Sequence, residues 1–156
     1  MRSLLGIGAL FVAASAAQAD SVPREPNSFA KYADPSSVVA AVNTEFAAMA
    51  GQSVRLSVYD SKDAFLEVAR IKHQGKINKD GVAIVTFRGL APGEYAFAAY
   101  LDKNDDGVLN RGKVLGIPKE PVAFSNGVVP KLRKPSYEET KVAVAPGSVV
   151  VITLEE

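Results

Sequence analysis

After Gly51, glycine and proline punctuate the chain into short runs that alternate apolar and polar residues, and nothing in that stretch demands a helix. In SVRLSVYD, Val54, Leu56 and Val58 share one face while Ser53, Arg55, Ser57 and Tyr59 share the other, as a half-buried strand requires. ARIKHQGKI and VAIVTFRGL flank Asn78-Lys79-Asp80-Gly81, and the Asp-Gly pair predicts a hairpin between them. GEYAFAAYLD follows the turn Ala91-Pro92-Gly93. TKVAVA and SVVVITL are separated by Pro146-Gly147, which reads as another hairpin or as a crossing between sheets. Six or seven such strands predict a mainly β chain folded as a β-sandwich.

The segment before Gly51 is ambiguous. In DPSSVVAAVNTEFAAMAG, Asp34 would cap a helix, Pro35 would open it and Gly51 would end it, with Val38, Val42, Phe46 and Met49 on one face. Val38, Ala40, Val42, Thr44 and Phe46 also alternate against Val39, Ala41, Asn43 and Glu45, as in a strand. The local pattern leans towards helix. Upstream, residues 20–36 are polar, carry three prolines and show no period, which predicts an extended arm or linker ahead of a single domain over residues 37–156.

Residues 1–19 read as a secretory signal: a basic start at Arg2, an apolar run over residues 4–17, and a small-x-small end at Ala17-Gln18-Ala19. That run is shorter than the roughly 20 residues a membrane-crossing helix needs. The expectation is a secreted protein, periplasmic or extracellular, with no transmembrane helix after cleavage. Cleavage leaves 137 of 156 residues, enough for one core without staples, in keeping with the absence of cysteine. Arg2 is the only charge lost, so 17 basic residues face 17 acidic ones, and no basic surplus points to nucleic acid. The cluster Lys131, Arg133, Lys134 reads as a solvated loop offset by Glu138 and Glu139.

The polar excursion between residues 100 and 127 holds the candidate site. Asp102, Asn104 and Asp106 occupy alternate positions before Gly107, the opening of a D-x-[DN]-x-[DN]-G calcium loop. A hard cation wants several oxygens at once, and a tight loop brings alternate side chains to one point. The carbonyl of Val108 and the side chain of Asn110 fall where further ligands belong. The pattern then breaks, because Lys113 stands where a bidentate glutamate should, leaving Asp105 or Glu120 to replace it. A metal-free turn, with Asx side chains bonding nearby amides, is favoured over calcium. GVLNRGKV stops one residue short of a P-loop and is followed by Gly116 and Pro118 rather than by a helix. A connection this long without periodicity exceeds the roughly 12–15 residues usual in compact domains and is expected to be functional. Ile117, Val122 and Phe124 are expected to pin it to the sandwich edge.

Catalytic chemistry is mostly excluded. His73 is the only histidine and lies in a strand-like run, which leaves no multi-histidine metal site and no evident triad. Glu120 with a loop aspartate remains as a carboxylate pair for acid–base hydrolysis. Tyr59 and Tyr100 fall on outward faces of their strands.

SVRLSVYDSKDAFL, FRGLAPGEYAFAAYLDKNDDGVLN and LGIPKEPVAFSNG, in this order, resemble the secreted bacterial domain-of-unknown-function 2141 family over most of residues 38–155. The resemblance implies an envelope β-sandwich, Ig-like or transthyretin-like, with no established activity. It also implies that residues 38–44 are the first strand, and this reading is adopted over the helix. Family members usually read Leu-Asp at the end of the acidic loop and Gly-Phe-Ser later, where this chain has Leu109-Asn110 and Ala123-Phe124-Ser125. The first change removes a carboxylate from the candidate calcium set.

The leading expectation is an exported, non-catalytic sandwich that binds an envelope protein or a small ligand through residues 102–126, with calcium as the candidate cofactor. Its candidate ligand-binding residues are Tyr100, Glu120, Phe124 and Ser125. The alternatives are a small periplasmic hydrolase using Glu120 and a loop aspartate, and a carrier of apolar molecules with a cavity between its sheets.

Overall fold

The computed structural model describes residues 26–44 and 49–155. The expected signal peptide, the first part of the arm and Phe46 lie outside the described residues. In chain order the elements are a 3-10 helix (Pro26–Tyr32), β1 (Ser37–Thr44), β2 (Ser53–Tyr59), β3 (Ile71–Lys76), β4 (Val82–Arg88), β5 (Gly93–Asp102), β6 (Val122–Phe124), α1 (Tyr137–Thr140), β7 (Lys141–Val144) and β8 (Val149–Leu154). Among the described residues eight strands form two sheets, where about seven strands are expected from the sequence. One sheet has the order β4-β1-β8, and the larger has β3-β2-β5-β6 with β7 also paired to β5.

The inward faces of both sheets meet in one core. Val38, Ala40 and Val42 of β1, Ala83, Val85 and Phe87 of β4, and Val150, Ile152 and Leu154 of β8 pack against Val54, Leu56 and Val58 of β2 and Phe97, Ala99 and Leu101 of β5. Phe87 and Phe97, one from each sheet, meet edge to face at 5.7 Å, the arrangement aromatic quadrupoles prefer.

β1 is a strand, and its burial explains why its pattern misleads. It is the middle strand of the smaller sheet, antiparallel to β4 and parallel to β8, the one parallel pair among the described strands. All eight of its residues are buried. Its second face lies under the 3-10 helix, whose Phe29 packs with Ala41 and Val82 against Tyr32, Ile84, Val149 and Val151. A strand covered on both faces has no polar side to alternate with. Asp34 caps a turn rather than a helix: its Oδ1 accepts from the backbone N–H of Ser36 at 2.9 Å and from its hydroxyl at 2.8 Å. Within the stretch read as an arm, Phe29 is thus buried against the sheet.

The Asn78–Gly81 hairpin is also corrected. β3 pairs with β2 and β4 pairs with β1, so this turn carries the chain from one sheet to the other. Asn78 Oδ1 accepts from the N–H groups of Asp80 and Val82 at 2.9 and 3.1 Å, which closes the turn without extending a ladder. Pro146-Gly147 is likewise a crossing, from β7 in the larger sheet to β8 in the smaller.

Candidate functional site

The acidic loop leaves the end of β5, and its first residue is its anchor. Asp102 is 1% exposed. Its Oδ2 accepts from Arg55 Nε at 2.9 Å and from the Gly107 N–H at 2.9 Å, and its Oδ1 accepts from the Asp106 N–H at 3.1 Å. Arg55 stands on β2, opposite Tyr100 of β5, and its guanidinium also reaches Asp105 at 3.4 Å. The bond to Asp102 raises the pKa of Arg55 above its usual value. Gly107 turns at φ +77°, where a side chain is strained.

Of the oxygens expected to gather, those of Asn104, Asp106 and Val108 surround the Asn110 amide, whereas Asp102 turns to Arg55 and does not join them. Asn110 Nδ2 lies 3.0 Å from Asp106 Oδ2, 3.1 Å from the Val108 carbonyl and 3.4 Å from Asn104 Oδ1. This amide, with the Val108 N–H and the Asn104 amide, holds the Asp106 carboxyl below the usual carboxylate range. Calcium takes six to eight oxygens, whereas here an amide donor sits among three oxygens and Asp102 faces a guanidinium. Among the described residues, no three His, Cys, Asp or Glu side chains cluster so as to hold a metal ion.

Beyond Asn110 the chain folds into a small hairpin. Arg111 bridges Pro118, the Gly112 N–H donates to the Ile117 carbonyl at 2.7 Å, and the Lys119 N–H donates to the Asn110 carbonyl at 2.8 Å. The near-P-loop residues Gly112 and Lys113 therefore lie in a hairpin, and no helix opens directly after them. Glu120 fastens its base: it is 6% exposed, and its two oxygens accept from the N–H groups of Lys103 and Asn110, each at 2.9 Å. Val122 and Phe124 do pin the connection to β5, as β6. Ile117 does not, because its side chain is 59% exposed.

The hairpin walls a cleft of about 810 Å³ on the outer face of the larger sheet. Strand alternation sends Val58, Leu56 and Phe97 inward, so Ser57 and Tyr59 of β2, Ala98 and Tyr100 of β5, and Val122 and Phe124 of β6 form the floor. Residues 129–135 also line the cleft. Lys103, Arg111, Lys119, Lys131, Arg133 and Lys134 line it, against two acidic residues, Glu120 and Glu155. Arg133 is held by Glu139, with the shorter contact 2.5 Å long. Burial, then the nearby Asp102 charge, pushes the Tyr100 hydroxyl above its usual pKa, so it stays a neutral donor.

Of the expected ligand contacts, Tyr100, Glu120 and Phe124 line this cleft, and Ser125 does not. Ser125 is fully buried at the point where the partner of β5 changes from β7 to β6. Its Oγ accepts from the Phe97 N–H at 2.9 Å and donates to the Thr140 carbonyl at 2.5 Å. Tyr59 faces outward as expected but is covered by Phe65 and Tyr137. His73 is an exposed strand residue touching the edge of Phe87. Nothing in this geometry favours hydrolysis, since Asp102 and Glu120 spend their oxygens on the loop itself. The basic lining was not legible as a site, because Lys119 and Lys131 come to one cleft only through the fold. The run of bases without acids over residues 128–135 was the available signal.

A family model described as "Uncharacterized protein conserved in bacteria (DUF2141)" matches residues 42–152, and the chain belongs to that family. No curated protein matches the chain.

Proposed function

We propose that this member of the family is an exported, non-catalytic binding module whose site is the cleft on the outer face of the larger sheet, and that its ligand is a small amphipathic anion. The observation that carries this reading is a concave site with an apolar floor and basic walls on a chain whose charges otherwise balance. Its volume falls within the roughly 300–1,000 Å³ typical of small-ligand sites. Val122, Phe124 and the ring of Tyr100 offer the apolar surface, and Lys119, Lys131 and Lys134 the charge. Export rests on the basic start, apolar run and Ala-Gln-Ala end of residues 1–19.

Calcium has no part in this reading. Arg55 already neutralises Asp102, so melting is expected to be the same with calcium as with chelator. A rise of several degrees with calcium would mean that Asn110 turns its Oδ1 inward as a ligand.

Titration with dodecyl phosphate, kept below its micelle concentration, tests the ligand class. Saturable binding is expected, weaker for a neutral dodecyl glycoside and weakened about tenfold or more by Lys119→Glu with Lys131→Glu. Equal binding by that variant, or none by the unaltered protein, would refute the proposal.

A further inference from the structure

The walls of the cleft carry a feature the ligand does not use. At the hairpin tip, Leu115 and Gly116 both have φ +61°, a left-handed conformation that glycine adopts freely and leucine resists. Val114 is 76% and Leu115 87% exposed, and in the segment after β6 Leu132 is fully exposed. Six large apolar side chains are exposed among the described residues, and Val114, Leu115, Ile117 and Leu132 are four of them. The same two short segments hold Arg111, Lys113, Lys119, Lys131, Arg133 and Lys134 and no acidic residue.

We propose that the hairpin tip and Leu132 insert into an anionic lipid surface, with the surrounding lysines on its headgroups, so that the mouth of the cleft rests on the membrane. Aliphatic side chains gain by leaving water for the acyl boundary, while lysine stems lie along it and keep their ammonium groups among the phosphates. Apolar and basic residues adjoin within each turn, as in Lys113-Val114-Leu115 and Lys131-Leu132-Arg133. A protein interface would instead gather its apolar residues in a centre and its charges in a rim. A second copy of the chain is a poorer occupant, because a two-fold contact sets these six bases against the same six. No helix among the described residues is long and apolar enough to cross a membrane, and this contact needs none.

The test is co-sedimentation with phosphatidylcholine vesicles, with and without phosphatidylglycerol. The chain starting at residue 20 is used, because it keeps every described element and leaves out the apolar run over residues 4–17. Association with the anionic vesicles alone is expected, falling as salt rises. Leu115→Asn with Leu132→Ser should weaken it about tenfold or more, asparagine being tolerated in the left-handed region. Lys113 and Val114 do not line the cleft, so Lys113→Gln with Val114→Ser should weaken vesicle binding and leave dodecyl phosphate binding intact. Vesicle binding without dodecyl phosphate binding would sink the cleft ligand and leave this inference standing. Three results would overturn the inference: no association with anionic vesicles, association unchanged in both variants, or displacement by free glycerol phosphate or by polyglutamate.

Discussion

Arg55 and Asp102 show how one pair can organise a loop. The Asp102 side chain has no exposure and that of Arg55 has 27%, so removing the base strands a buried carboxylate beside only two backbone donors. Arg55→Met is expected to cost about 3 kcal/mol of stability, measured by urea unfolding, and part of the loss should return when Asp102→Asn is added. A cost near zero would mean that the loop holds itself. The bend at Gly107 and the gathering of Asn104, Asp106 and Val108 were legible because residues two apart in a tight loop meet locally. Arg55 was not legible, since it lies 47 residues from Asp102 in the chain and only the pairing of β2 with β5 brings them together. Ser125 was misread for a similar reason: its sequence neighbourhood reads as a turn, while its hydroxyl serves two backbone groups at a strand exchange.

At the scale of elements, the strands with one covered face were legible from their own alternation, whereas the doubly covered one was read as a strand only through the family resemblance, against a local pattern that leans towards helix. β2 shows its alternation because one face remains partly open, whereas β1 hides its alternation beneath the 3-10 helix. That helix depends on Phe29, which is 3% exposed. Phe29→Ala is expected to cost about 3–4 kcal/mol and to release the amides of residues 27–32 to hydrogen exchange; unchanged exchange there would contradict the packing described. The hairpin at Asn78–Gly81 failed because an Asp-Gly turn fixes local geometry only, and the core decides which sheet receives the next strand. The short helix α1 has its own switch. Ser136 caps it, and Glu139 returns to the cap in a capping box. The Arg133 guanidinium, then the Ser136 donors, lower the Glu139 pKa from 4.5 to about 2. Its stabilisation is therefore fully present above about pH 4.5 and disappears as pH falls through about 2. Melting curves of Glu139→Gln should lie below those of the unaltered protein at neutral pH and merge with them at the acid end. A constant gap across that window would show that the ion pair does not matter.

For the whole molecule, the two-sheet β architecture was legible from punctuation and alternation, while the order of strands and the cleft were not. The cleft draws on β2, β5, β6, the hairpin and the segment after β6, which are far apart in the chain, and its basic residues come together only in the fold. An account built on this cleft predicts where a ligand is felt. The most direct measurement is a two-dimensional amide spectrum of the chain from residue 20, recorded during titration with dodecyl phosphate. The account predicts that resonances of Ser57, Tyr100, Lys119, Val122 and Lys131 move together and saturate, while those of Ala41 and Ile152 in the smaller sheet stay in place. Shifts centred on the smaller sheet, or none at all, would contradict it.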